Sequence, residues 1–237
     1  MKYLNSFKNK AIPLLLIINI LFILSAAGIT RVTTSIAAPQ IEKVNNIDLS
    51  RVSFQTEEKL TSIAASLRNF VLVAILIALL FVMLIIIAWS LFQGMIYSLL
   101  GKKKFNLKFF EKFLLLNLIW FIPWLLLLGV LLIGSKTTSL LVVSITALLL
   151  FLHFSLILYP LFTKENKLKT IKTAIRLGIT KIHYFIVPYI LIAITFMIIA
   201  QINRLNLYYM LILAIYLLFF SWVQGYIADI AIKIQKV

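Results

Sequence analysis

Charged residues divide this chain into six long apolar runs. No Asp, Glu, Lys or Arg occurs in residues 11–30, 69–101, 113–135, 137–163, 182–203 or 205–228. A helix needs roughly 20 apolar residues to cross about 30 Å of hydrocarbon, and every run meets that length. Backbone polar groups in lipid must be satisfied within the segment, so each run is expected to be α-helical. Barrel strands would alternate apolar and polar positions, and these runs are apolar on all faces. The pattern predicts an all-α, polytopic helical bundle forming one domain over residues 1–237. Its spans fall near 11–30, 69–95, 113–134, 139–162, 183–201 and 207–228.

The segments between the runs add detail. Residues 31–68 form the one sizeable connection, which Pro39 is expected to break. Beyond it, Thr56 could cap a helix that opens with Glu57 and Glu58. Leu60, Ile63, Ala64 and Leu67 then share a face, so a short amphipathic helix is expected either on the outer surface or running straight into span two. The second run is long for one crossing, and its inner end is expected to continue past the membrane through Gln93-Gly94 to Leu100. The other end of the bundle carries two basic segments. Over residues 167–182, Leu168, Ile171, Ile175, Gly178 and Ile182 are expected to make one apolar face, with Lys167, Lys169, Lys172, Arg176 and Lys181 around it. Residues 102–113 are similar but shorter. Asn106 is a cap candidate, Phe105, Phe109, Phe110 and Phe113 supply apolar surface, and Lys102, Lys103, Lys104 and Lys108 flank them. Both segments are expected to lie as helices in the headgroup plane, their lysine stems snorkelling over apolar surface.

Composition excludes whole classes of function. Hydrophobic residues make up 63% of the chain and charged residues 13%, far from the balance of a water-soluble domain. There is no cysteine, hence no disulfide, thiolate metal site or cysteine nucleophile. The net charge of +16 follows the membrane boundaries rather than forming a nucleic-acid surface, so no nucleic-acid partner is expected. Placing both termini in the cytoplasm puts sixteen basic residues inside and seven outside, which is the direction of the positive-inside bias in a cell membrane. Lys2, Lys8 and Lys10, followed by an apolar run and Ser25-Ala26-Ala27, have the order of a signal peptide. The apolar run exceeds a usual signal core, and a retained helix is expected.

Little in the chain suggests catalysis. The polar residues within the runs are Asn19, Asn117, Ser144, Thr146, His153, Ser155, Thr195 and Gln201, with no carboxylate well inside. His153 and Ser155 are two residues apart and so face different ways on a helix. No metal-binding H-E-x-x-H and no phosphate-binding loop is present, and no cofactor is expected. His153 is the one intramembrane ionisable candidate. Asn19, Asn117 or Thr195 could supply its hydrogen-bond partner.

Two echoes suggest an internal repeat. Gln93-Gly94-Met95-Ile96 returns as Gln224-Gly225-Tyr226-Ile227. Tyr97, a basic piece and Phe121-Ile122-Pro123-Trp124 return as Tyr159, a basic piece and Phe185-Ile186-Val187-Pro188-Tyr189. The stretch from Gln93-Gly94-Met95-Ile96-Tyr97 to Lys104, and that from Tyr159-Pro160 through Ala174-Ile175-Arg176-Leu177 to Pro188, resemble a broad group of prokaryotic six-helix membrane proteins of unknown function. That group includes the membrane domain associated with glycerophosphoryl diester phosphodiesterases. The resemblance implies a stand-alone membrane scaffold without a phosphodiesterase domain, and it carries no catalytic residue over. The expected role is that of a non-enzymatic scaffold or accessory subunit engaging anionic lipid headgroups. The alternatives are a permease subunit for a lipid or apolar solute, working with a partner membrane protein or a separate ATPase, and an intramembrane enzyme using His153.

Overall fold

The computed structural model describes residues 11–45, 57–134, 137–202 and 209–235. It contains α1 (Ile12–Asn45), α2 (Glu57–Leu100), α3 (Leu107–Gly134), α4 (Thr137–Glu165), α5 (Thr170–Thr180), α6 (His183–Ile202) and α7 (Tyr209–Ile234). All except α5 are long and apolar enough to cross a membrane. The fold is an all-α helical bundle of the multi-pass membrane type.

Two compact units divide the chain: Phe22–Trp89, and the described parts of Met1–Leu21 with Ser90–Val237. In the first, the ring of Phe22 meets Trp89 edge-on at 5.5 Å. An open groove of about 340 Å³ runs beside Thr30, Thr33, Ala37, Phe70, Ala74 and Phe81. The Thr33 hydroxyl donates to the Ile29 carbonyl at 2.7 Å, which leaves an apolar lining. In the second unit α4 is the hub and packs against α3, α5 and α7, while α6 packs on α7. Its core is aromatic: Tyr97, Phe113, Tyr159, Phe162, Phe185 and Trp222 are fully buried.

Polarity runs inside out. Leu76 and Val130 are 65% and 68% exposed, whereas Asn117 and Gln93 are 0% and 2% exposed. That is the arrangement expected when lipid surrounds the helices and polar side chains join them.

Three expectations change. Pro39 does not break the chain; it lies inside α1, which continues to Asn45. Its ring removes one backbone bond and favours a bend. The Thr34 and Ser35 hydroxyls just before it bond back to the Arg31 carbonyl at 2.9 and 2.8 Å, a local arrangement that suits bent helices. The connection over 31–68 therefore shrinks to residues 46–56, which lie outside the described residues, as does the expected cap Thr56. The helix after it runs directly into span two as α2. That helix does continue to Leu100, and Gln93 on it is buried among protein side chains. The third change concerns residues 102–113. The Asn106 Oδ1 accepts the Phe109 N–H at 2.8 Å, so the cap forms as expected, yet the helix it opens is the transmembrane α3. Phe109 and Phe113 pack on Phe162 at 6.2 and 5.8 Å. Phe109 and Phe113 are core here, because rings can stack between helices and gain more than they would at a headgroup boundary, while Phe105 and Phe110 are half-buried.

A candidate membrane-surface site on helix α5

Two polar networks hold the helix ends that carry the basic residues. Asn19 Nδ2 donates to Ser221 Oγ at 2.9 Å and to Gln224 Oε1 at 3.2 Å. Gln224 Nε2 donates to Gln93 Oε1 at 3.1 Å. The two glutamines of the repeated Gln-Gly pair therefore meet each other. Beside them, Tyr159 Oη donates to Asn117 Oδ1 at 2.8 Å, and Asn117 Nδ2 donates to Ser90 Oγ at 2.9 Å. Tyr97 and Tyr159, the two tyrosines of the second echo, are in ring contact at 5.3 Å. Buried amides in lipid need partners, and here each amide is supplied by another helix.

His153 and Ser155 do face different ways. Ser155 Oγ accepts the Trp120 indole N–H of α3 at 2.9 Å. His153 turns to α6 and α5, with Nδ1 2.6 Å from Tyr189 Oη and Nε2 3.3 Å from the Gly178 carbonyl. None of the three expected partners is used: Asn19 and Asn117 belong to the networks above, and the Thr195 hydroxyl bonds back to Leu191 at 2.8 Å. A carbonyl can only accept, which assigns the ring proton to Nε2 and leaves Nδ1 to accept from the tyrosine hydroxyl. Gly178 is the third-last residue of α5, among the carbonyls that lack an intrahelical partner. His153 thus caps α5 from the side. Tyr189 gives no polar signal in a hydropathy pattern, although a buried tyrosine hydroxyl usually seeks a partner.

Helix α5 carries three stripes. Thr170, Ala174, Leu177 and Gly178 are buried. A Cβ at Gly178 would lie 2.6 Å from the Phe154 ring, so glycine sets the closeness of α5 to α4. This corrects the expected apolar face, of which Gly178 alone is buried. Leu168, Ile175, Ile179 and Ile182 are exposed. They lie one stripe round from the packed face because small residues, not isoleucines, permit the close approach. Lys169, Lys172 and Arg176 form the third stripe.

The structure sorts the basic candidates. Lys169, Lys172 and Arg176 line one concavity of about 260 Å³ with Thr173 and Glu165. Lys102, Lys104, Lys108 and Lys167 are exposed outside it. Lys103 Nζ donates to the Lys164 carbonyl at 2.9 Å, tying the residue 101–106 loop to the end of α4. Lys164 Nζ in turn donates to Gln235 Oε1 at 2.8 Å, while Gln235 Nε2 donates to Glu165 Oε1. Glu165 carries no signal in the sequence, since only folding brings the end of α4 beside the basic stripe; Thr173 lies on α5 itself, between Lys169 and Arg176 at helical spacing. Among the described residues no group of three or more His, Cys, Asp or Glu could hold a metal ion. Compared with protein-family models, with curated proteins and with solved structures, the chain matches none of them.

Proposed function

We propose that this protein is a non-enzymatic membrane scaffold or accessory subunit, with both termini in the cytoplasm, that engages anionic lipid through α5 and the adjoining basic loops. The supporting observation is the pairing of stripes on α5. An aliphatic ridge at Ile175 and Ile179 stands exposed beside Lys169, Lys172 and Arg176. A helix so divided lies stably at a headgroup boundary, ridge toward the acyl chains and cations toward phosphate. The buried amides, Tyr159 and His153 are bonded to one another or to backbone, which gives the permease and intramembrane-enzyme alternatives less support. The resemblance to six-helix membrane proteins points the same way.

The test is lipid enrichment around the purified protein in nanodiscs of mixed anionic and neutral lipid. Each surface lysine should contribute about 1 kcal/mol. Replacing Lys167, Lys169 and Lys172 with Gln should reduce the anionic enrichment. The wild-type preference should weaken as added salt shortens the screening length from about 10 Å at 0.1 M to about 3 Å at 1 M. An unchanged lipid preference in the variant would return α5 to an ordinary connecting helix.

A further inference from the structure

The concavity at the start of α5 has a chemistry of its own. Lys169, Lys172 and Arg176 sit at i, i+3 and i+7, so their side chains share one face of the helix. Thr173 joins them, and the four line an open concavity of about 260 Å³. One carboxylate, Glu165, lines the same space, and it is engaged elsewhere. Its Oε1 accepts from the Gln235 amide and its Oε2 faces the Thr170 hydroxyl at 3.4 Å. Three cations against one acid leave a surplus of two positive charges over a volume smaller than a drug-sized pocket. The first turn of α5 adds the partial positive charge of a helix N-terminus.

Two surplus charges and several convergent donors match one kind of anion better than others. A phosphodiester headgroup presents one negative charge and two free oxygens. A phosphomonoester presents about −1.5 to −2 at neutral pH and three acceptor oxygens. The planar guanidinium of Arg176 can take two of those oxygens together, while the lysines act as point charges. We infer that this concavity is a binding site selective for a dianionic phosphomonoester over a phosphodiester. It rests on the proposed engagement of anionic lipid and narrows it to a headgroup class. The exposed ridge at Ile175 and Ile179 favours a monoester carried on a lipid, because the ridge lays the site at headgroup depth.

The experiment titrates short-chain lipids into the full-length protein in a neutral detergent. The probes are dioctanoyl phosphatidic acid, dioctanoyl phosphatidylglycerol and dioctanoyl phosphatidylcholine, with inorganic phosphate and glycerol 3-phosphate as soluble competitors. Phosphatidic acid should bind about fivefold or more tightly than phosphatidylglycerol, from the extra unit charge at close range. Lys172→Gln with Arg176→Gln should bring that ratio to near one. Arg176→Lys should lower it partway, and Lys112→Gln, on α3, should leave it unchanged. Both cationic side chains are exposed, and matching thermal unfolding of the variants checks that folding is unaffected. Displacement of phosphatidic acid by either soluble competitor at equal concentration supports the monoester site and identifies a soluble source. Equal affinity for the two anionic lipids, both above phosphatidylcholine, overturns the monoester selectivity and leaves the lipid reading standing. Equal affinity for all three lipids overturns both.

Discussion

His153 donates to the Gly178 carbonyl and accepts from Tyr189, so a single side chain joins α4, α5 and α6. An amide can also donate and accept, and His153→Gln should retain most of the stability. His153→Leu should cost about 0.6–2 kcal/mol, the worth of an interhelical hydrogen bond in a membrane. A double-mutant cycle with Tyr189→Phe, read by unfolding in mixed micelles, should show coupling; strict additivity would mean the 2.6 Å contact carries no energy. Gly178→Ala acts differently. Its methyl would meet the Phe154 ring at 2.6 Å, and overpacking of this kind costs roughly 1–3 kcal/mol. Stability equal to wild type would show that α5 can shift off α4 freely.

Helix α5 is the element whose surroundings matter most. Sequence periodicity marks residues 167–182 as helical and basic; the helix itself covers Thr170–Thr180, and the apolar face lies about one stripe away from the side that packs. Hydrophobicity ranks Ile175 above Thr170 or Ala174, whereas close helix packing in a membrane selects small side chains. The isoleucines are then released to face outward. A tryptophan replacing Ile179, in a background with the native tryptophans changed to Phe, should be quenched by lipids brominated on the upper acyl chain. Absence of quenching together with ready quenching by aqueous iodide would put the ridge in water and remove the interfacial reading. Helix α3 shows the converse lesson. Its Asn106 cap was legible in the sequence, but the phenylalanines after it serve a core that only α2 and α4 complete. Asn106→Ala should cost about 0.5–2 kcal/mol, measured by the same unfolding assay.

Across the whole molecule, orientation remains the largest testable expectation. The cysteine-free chain suits accessibility labelling. A cysteine replacing Asn46 should react with an impermeant reagent from outside, and one replacing Lys167 only after the membrane is opened. The reverse pattern would defeat the positive-inside reading. The Asn19–Gln224–Gln93 network makes a second forecast at this scale. Gln224→Leu leaves buried acceptors and donors on two other helices unpaired, which is costlier than losing the bond itself. The triple change of Asn19, Gln93 and Gln224 to Leu should therefore destabilise less than the sum of its parts.

Six crossings, the helical class and the concentration of basic charge toward one set of helix ends were determined by the sequence itself. Lipid enforces them one segment at a time, since each span must bury its own backbone and exclude its own charges. What each polar side chain meets was decided only by tertiary structure. Gln93 and Gln224 are 131 residues apart, and His153 and Tyr189 are 36 apart. Hydrophobicity is a property of a window, while a hydrogen-bond partner depends on which helix faces which and at what depth. The same holds for the cationic concavity. Its lysines are visible at helical spacing, but Glu165 enters it only because α5 turns back after Asn166, whose backbone adopts φ 55°.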